Sequence, residues 1–314
     1  MKDSHGRDIN YLRISVTDRC NLRCYYCMPN GVTKLSHEDI IRDEDIIQIV
    51  TEAVKTGITK IRITGGDPLV RKGIYQLIRK IKDIKGVQEV VLSTNGLLLL
   101  GHVHKLQVAG ISRVNFSLDT LNPETYKKIT QSEVPLDYSA LIEELLAHKM
   151  VPVKINAVLL RGVNDHEIPD FIELANRYDI LVRFIELMPM GDIGLDYDTY
   201  FIGKDEVLQH NPQLEFTRKE IIAEYYKVPG KQGEIGFISP ITHEFCDQCN
   251  RLRLTSQGHL LPCLLHDHDV LVKSKSSTEI LEALKEAIQA KDKGHNLNDE
   301  IKAVSKKSMN KIGG

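Results

Sequence analysis

The chain has 314 residues, of which 42% are hydrophobic and 27% charged, as in ordinary globular proteins. This length is enough for one large core, or for one large and one small core. Its 41 basic and 43 acidic residues give a formal net charge of -2, which excludes a general attraction to nucleic acids or membranes. Because we find no secretory leader and no apolar run long enough to span a bilayer, we expect a cytoplasmic protein.

Short β-branched runs alternate with amphipathic segments over the first two-thirds of the chain. The predicted strands are residues 12–16, 60–64, 89–93, 113–118, 153–159 and 181–186, and the predicted helices are 44–55, 73–84, 103–109, 138–148 and 167–178. This alternation favours a parallel sheet with right-handed crossovers. Six units are too few for a closed eight-fold barrel, so both an incomplete barrel and an open sheet fit. In either fold, ligands are expected at the carboxyl ends of the strands.

Polar residues collect where these predicted strands end. They are Thr64-Gly65-Gly66-Asp67-Pro68, Ser93-Thr94-Asn95-Gly96, Ser117-Leu118-Asp119, Lys154, Asn156, Arg183 and Glu186. Turn chemistry explains any one of them, because Gly, Asn and Asp tolerate the dihedral angles that turns need. Their accumulation at one edge of one sheet predicts a binding site there.

The regular alternation of strand-like and helix-like segments ends after Met190-Gly191-Asp192. This change predicts two regions, residues 1–195 and 196–314. The second has a short helix at 204–210, strand-like runs at 225–228, 236–239 and 252–255, and a helix at 274–290. We expect it to form a smaller α+β region packed against the first.

Three cysteines, Cys20, Cys24 and Cys27, lie within eight residues just after the first predicted strand. An odd number of thiols in a reducing compartment favours metal ligation over disulfides. A structural zinc site needs four ligands, so zinc would require a fourth ligand from elsewhere in the chain. A cubane iron–sulfur cluster also takes four ligands, and three protein thiolates would leave one iron open.

A second group, Cys246, Cys249 and Cys263, again offers three thiolates. Under the zinc alternative, the candidates for its fourth ligand are His259, His266 and His268. Arg251 and Arg253 alternate with apolar residues as in a strand and would therefore share one face. Two adjacent guanidinium groups suit an anion such as a phosphate, although a solvated face remains the alternative.

The pattern Cys-x3-Cys-x2-Cys, with an aromatic residue before the third cysteine, resembles the signature of radical S-adenosylmethionine enzymes. The wider chain resembles one family among them, the GTP 3′,8-cyclases of molybdenum cofactor biosynthesis. The residues that carry this likeness are Tyr11 to Cys20, Met28-Pro29, Ile61 to Leu69, Thr94-Asn95-Gly96, Asn115 to Asp119, Arg183 to Met188, the second cysteine group and the terminal Gly313-Gly314. Two departures are visible: Asp67 stands where Glu is commoner, and the connection after Pro29 is short.

The resemblance implies an incomplete (βα)6 TIM-type barrel whose open side is covered by the smaller C-terminal region. It implies one [4Fe-4S] cluster on Cys20, Cys24 and Cys27, and a second on Cys246, Cys249 and Cys263, whose open iron binds the guanine of GTP. S-adenosylmethionine would contact Tyr26, Gly66, Ser117 and Met188, with Thr64 and Asp67 in the loop that holds its amino end. GTP would contact Arg13, Arg62, Ser93, Lys154, Arg251, Leu252 and Arg253. Arg183, Gly313 and Gly314 would act in catalysis, and a frayed terminus is the alternative for the two glycines.

The implied reaction is a radical cyclisation of GTP to 3′,8-cyclo-7,8-dihydro-GTP, begun by hydrogen abstraction from C3′. The implied partners are GTP, an external electron donor and a downstream cyclic pyranopterin monophosphate synthase, without nucleic acid or membrane. The oligomeric state is left open, with a homodimer as one outcome. Two rivals also remain: a peptide-modifying enzyme of the same superfamily, and a zinc-stabilised binding module without catalysis.

Overall fold

A computed structural model describes residues 1–28, 35–189, 196–265, 269–295 and 309–313. Its strands form one twelve-stranded sheet in the order β12-β11-β10-β1-β2-β3-β4-β5-β6-β9-β8-β7. The strands are β1 Tyr11–Ser15, β2 Lys60–Thr64, β3 Glu89–Thr94, β4 Arg113–Ser117, β5 Lys154–Val158, β6 Leu181–Ile185, β7 Glu215–Glu220, β8 Ala223–Lys227, β9 Glu234–Ile238, β10 Arg251–Leu254, β11 His259–Leu261 and β12 Val270–Leu271.

The first six strands are parallel neighbours in chain order, as expected for an incomplete TIM-type barrel. The helices are α1 Asp43–Lys55, α2 Ile74–Lys82, α3 Val103–Ala109, α4 Pro123–Thr130, α5 Tyr138–Ala147, α6 Ile168–Tyr178, α7 Tyr197–Tyr200, α8 Lys204–His210, α9 Ser277–Gln289 and α10 Met309–Ile312. Each of the first five strands is followed by at least one of them, so the predicted fold class is confirmed.

Two C-terminal strands extend this sheet at both edges. β10 pairs with β1 and β9 pairs with β6, both in parallel, so eight adjacent strands run in one direction. Beyond them, β11 and β12 on one side and β8 and β7 on the other are antiparallel. The strands of the predicted C-terminal region therefore join the main sheet. The division at residue 195 stays a prediction.

Apolar helix faces cover the outside of the sheet. In α2, Ile74, Leu77, Ile78 and Ile81 are at most 2% exposed and lie at helical spacing. Complete burial of such a side chain stabilises the fold by about 1.5–3 kcal/mol. α9 begins with a capping box in which Ser276 and Glu279 satisfy each other's backbone N–H groups, and it packs against α1. The opposite, inner face of the sheet is thereby left to polar side chains.

Candidate active site

A row of arginines crosses three neighbouring strands. Arg253 on β10, Arg13 on β1 and Arg62 on β2 are in register, and their side chains therefore lie on the same face of the sheet. Arg62 and Arg253 are less than a tenth exposed, and Arg13 is partly exposed. Side chains at alternate strand positions share a face, so Arg251 belongs to the same surface, as the sequence predicted.

Neutral acceptors orient these arginines. Arg62 donates from Nε to the Tyr11 hydroxyl and from Nη1 to Ser93 Oγ at 3.0 Å. With its amide oxygen turned toward them, Asn115 accepts from Arg62 at 2.7 Å and from Arg183 at 2.8 Å. Arg183 also donates from Nε to Asn156 Oδ1 at 3.0 Å. Because none of these acceptors carries a charge, the hydrogen bonds fix the guanidinium groups without cancelling their charge.

The crowding of cations lowers their pKa values. Burial and the charge of Arg62 lower the pKa of Arg183 to about 10, and burial and Arg251 do the same for Arg253. The pKa of Lys154 falls to about 8 because the group is buried near Arg183 and Arg113. Like charges held together out of water are unfavourable until an anion joins them. This cluster is therefore suited to a polyanionic ligand.

The C-terminal tail, described here for residues 309–313, reaches the buried group of arginines. Ile312 is 1% exposed and packs in a group that includes Met188, and Arg253 donates a hydrogen bond from Nη1 to the Gly313 carbonyl oxygen. A Cβ atom on Gly313 would lie 2.1 Å from Thr64 Oγ1, far inside van der Waals contact. Within the described residues, the arginine that contacts the tail is Arg253. Gly314 lies outside the described residues.

The first cysteine group follows the carboxyl end of β1. Cys20 Sγ accepts hydrogen bonds from Leu22 N at 3.4 Å and from Asn95 Nδ2 at 3.5 Å, as the sulfur of a ligand thiolate does. Backbone hydrogen bonds from Cys27 and Met28 to the Cys24 carbonyl close a turn. Burial and the neighbouring Cys20 and Asp119 charges raise the pKa of Cys27 to about 12. A metal centre that binds these thiolates would relieve the repulsion between them.

Tyr26, predicted to lie near S-adenosylmethionine, is held from behind by Asp119. Its hydroxyl donates to Asp119 Oδ2 at 2.7 Å, and Val158 N donates to the other carboxylate oxygen at 2.9 Å. Burial raises the pKa of Asp119 to about 6 against the lowering effect of these two hydrogen bonds. The ring of Tyr26 is thereby fixed beside the cysteines.

Asp67, the residue that departs from the family's usual Glu, is bound by hydrogen-bond donors of the protein itself. Its carboxylate is fully buried and accepts from Thr94 Oγ1 at 2.6 Å, Asn95 N at 2.7 Å and Leu69 N at 2.9 Å. These contacts place Asn95 against Cys20. The preceding Gly66 is also required, because a Cβ there would lie 2.3 Å from the Arg19 carbonyl oxygen.

The second cysteine group lies at the opposite end of the sheet. Cys246 and Cys249 precede β10, and Cys263 follows the antiparallel β11, so all three flank the amino end of β10. Burial and the charges of Cys263 and Cys249 raise the pKa of Cys246 to about 11. For Cys249 burial is outweighed by Lys291 and Arg251, and its pKa is lowered. Because β1 and β10 are parallel, the arginine row lies between the two groups, along a five-residue strand that is roughly 17 Å long.

Neither cysteine trio has the spacing of a single zinc site. Tetrahedral zinc with bonds of about 2.3 Å would hold its sulfurs about 3.8 Å apart. Within the described ranges, only Glu244, Cys246 and His295 bring three donor atoms within 4.8 Å of one another, so neither cysteine trio closes around one ion. Among the histidines suggested for zinc, His259 contacts Asp269 at 2.9 Å, and His266 and His268 lie outside the described residues.

Two further predicted contact residues differ in what they can offer. Ser117 is exposed at the carboxyl end of β4, where a ligand can reach it. Leu252 is fully buried and points away from Arg251 and Arg253, so it can serve a ligand only through its main chain. Sequence reasoning missed Tyr11 and the role of Asn115 between two arginines. Tyr11 lies on β1 two residues before Arg13, and Asn115 lies on β4 two residues before Ser117. This alternate spacing was the signal in the sequence that could have identified them.

Two family models match the chain. Residues 14–175 match the radical SAM superfamily, and residues 180–297 match the molybdenum cofactor synthesis C family. The structure of SuiB from Streptococcus suis bound to S-adenosylmethionine has a TM-score of 0.65 over 90% of this chain and 68% of that chain. At 16% identity it supports the fold alone.

Several GTP 3′,8-cyclases are similar to this chain over nearly the whole length of both proteins. A GTP 3′,8-cyclase of Peptoclostridium acidaminophilum is 46% identical over 99% of this chain and 98% of that protein. A GTP 3′,8-cyclase of Alkaliphilus oremlandii is 44% identical over the whole of both chains. Identity at this level over the complete length, with both family models matched, shows that the chain belongs to the GTP 3′,8-cyclase family of radical S-adenosylmethionine enzymes.

Proposed function

We propose that this chain uses S-adenosylmethionine and two [4Fe-4S] clusters to cyclise GTP to 3′,8-cyclo-7,8-dihydro-GTP, the first step of molybdenum cofactor biosynthesis. The observation that carries the proposal is the buried cationic cluster between two cysteine trios. A triphosphate matches its charge, and the two trios offer thiolate ligands for metal chemistry on either side. The relatives' name supports GTP as the substrate.

The residues divide into four groups. Cys20, Cys24 and Cys27 would hold the first cluster, which with S-adenosylmethionine supplies a radical able to abstract a hydrogen atom. Tyr26, Gly66, Ser117 and Met188 would bind and orient that cofactor. The triphosphate would be bound by Arg13, Arg62, Ser93, Lys154, Arg251 and Arg253, beside Arg183 and the tail glycines. Cys246, Cys249 and Cys263 would hold the second cluster near the guanine.

Anaerobic incubation with GTP, S-adenosylmethionine and dithionite tests the proposal. We expect GTP-dependent 5′-deoxyadenosine and a cyclised nucleotide, from protein with about eight iron and eight sulfide per chain, as two cubane clusters require. Bound zinc, with no iron taken up on reconstitution, would instead support the binding module. Iron without any GTP-dependent product would support the peptide-modifying alternative.

Loss of either arginine of the β10 pair should weaken GTP binding. Arg251→Ala and Arg253→Ala each remove charged hydrogen-bond donors, typically worth about 1.5–3 kcal/mol, or roughly ten- to hundredfold in affinity. Isothermal titration with GTP under anaerobic conditions measures this, with iron content expected to stay unchanged. Arg79→Ala is the control, because the Arg79 side chain is 61% exposed on α2. Equal GTP affinity in all three variants would exclude Arg251 and Arg253 as ligands of GTP.

GTP affinity should also fall as the pH rises through about 8. Burial and the charges of Arg183 and Arg113 lower the pKa of Lys154 to about 8, so this ammonium is present below that pH and lost above it. We expect native protein to bind GTP more weakly at pH 9 than at pH 7. Lys154→Met should bind weakly at both values, with a flatter profile. A native profile identical in slope to that of Lys154→Met would exclude Lys154 as a phosphate ligand.

The partners and location follow from the same assignment. An external donor would reduce the clusters, and a cyclic pyranopterin monophosphate synthase would consume the product. No helix in the described part of the chain is long and apolar enough to cross a membrane. We propose the cytoplasm as the site of action and keep the two-region division, 1–195 and 196–314, as part of the proposal.

A further inference from the structure

Lys291, just after α9, is a buried cation that the proposed substrate site does not use. It is 3% exposed, and Nζ donates to the Arg251 carbonyl at 2.9 Å and to the Pro262 carbonyl at 2.8 Å. The third contact of Nζ is Cys249 Sγ at 3.9 Å. An ammonium group has three donors, and these three contacts account for all of them.

These contacts tie together the parts of the chain that carry the second cysteine group. Arg251 lies two residues after Cys249, and Pro262 immediately precedes Cys263. Arg7 supports the arrangement from the other side, donating to the Cys246 carbonyl at 2.5 Å and to the Asp292 carbonyl at 2.7 Å. Lys291 therefore stands at a fixed place beside the cysteine ligands.

We propose that Lys291 is a positioning residue whose fixed positive charge raises the reduction potential of the second cluster. The inference rests on the proposed assignment of that cluster to Cys246, Cys249 and Cys263. One-electron reduction by an external donor makes a cluster more negative, so a cation and an N–H donor at a ligand sulfur stabilise the reduced form.

Lys291 differs in this from the nearby arginines. Arg251 and Arg253 belong to the cationic face proposed for the triphosphate, and bound phosphate would offset their charge. The ammonium of Lys291 is directed at two carbonyls and a sulfur, so its charge acts on the cluster whether or not GTP is bound. The effect of Lys291 on the potential should consequently persist in the GTP complex.

The test uses the full chain carrying Cys20→Ala, Cys24→Ala and Cys27→Ala, which leaves the second cluster as the only one. Its midpoint potential is measured by electron paramagnetic resonance during a redox titration with dithionite, with and without GTP. Lys291→Met and the amide Lys291→Gln should shift the midpoint to more negative values. Lys291→Arg, which keeps the charge, should stay near the parent. Lys293→Met is the matched control, because Lys293 is an exposed lysine two residues away.

The outcomes separate the two proposals. Neutral variants that titrate at the parent's potential would overturn the role of Lys291 and leave the second cluster in place. Loss of the cluster from both neutral variants, with retention in Lys291→Arg, would make Lys291 a structural support alone. An Arg variant that titrates with the neutral ones would exclude the charge as the cause. A parent without iron would overturn the second cluster itself, and this inference with it.

Discussion

Cys24→Ala should produce no 5′-deoxyadenosine, with or without GTP, while the protein remains folded. Cys24 is the middle cysteine of the first group, and its carbonyl also closes the turn that carries Cys27. The backbone hydrogen bonds survive the substitution, but only two thiolates remain for the first cluster. We expect about half the native iron, a circular dichroism spectrum like that of the native protein and a complete loss of S-adenosylmethionine cleavage.

Cys246→Ala is the matched control, since it removes a thiolate from the other trio. It should lose the same amount of iron and bind GTP poorly, yet retain S-adenosylmethionine cleavage that no longer depends on GTP. Loss of S-adenosylmethionine cleavage in Cys24→Ala and loss of GTP binding in Cys246→Ala, at equal iron content, would separate the roles of the two cysteine groups. GTP-dependent 5′-deoxyadenosine from Cys24→Ala would show that the first cluster is wrongly assigned.

Local sequence signals predicted the elements that make the barrel. The strand Lys60–Thr64 and the helices Val103–Ala109 and Lys204–His210 have the predicted bounds, and the other barrel strands differ by one residue at one or both ends. These segments were readable because their apolar residues recur with the period of the element that they form. The helix Pro123–Thr130 was missed, although Asn122 caps its first turn and Pro123 begins it, both ordinary start signals.

Pairing between distant segments was not readable in the same way. Tyr11 pairs with Arg251, 240 positions later, and no local pattern encodes that register. For this reason the sequence placed the C-terminal strands in a separate region and could not show that the two cysteine groups flank the arginine row. The role of Asn115 was hidden for the same reason, because both of its arginine partners lie on other strands. The same is true of Lys291, whose partners are backbone carbonyls and one sulfur.

Deletion of Gly313 and Gly314 should abolish the cyclised product while leaving iron content and the thermal unfolding midpoint nearly unchanged. The anchor of the tail is Ile312, which is 1% exposed, so most of the apolar burial survives the deletion. What disappears is the backbone inside the cationic cluster, including the Gly313 carbonyl that Arg253 contacts. Arg253 is then free to take another orientation. Product analysis after anaerobic turnover, together with iron assays and calorimetry, measures the three quantities.

Gly313→Ala should reproduce much of that loss without shortening the chain. Gly313 has φ +77°, a conformation costly for alanine, and its Cβ would meet Thr64 Oγ1 at 2.1 Å. Gly230 has the same φ of +77°, but a Cβ atom there would meet nothing within 4 Å, so Gly230→Ala carries the backbone strain without the clash. We expect Gly230→Ala to turn over GTP normally and Gly313→Ala to lose most activity with its clusters intact. Normal turnover by the truncated chain would exclude a catalytic role for the tail. Loss of clusters on truncation would instead assign Gly313 and Gly314 to the fold, because the terminus would then be holding the cluster sites rather than the substrate.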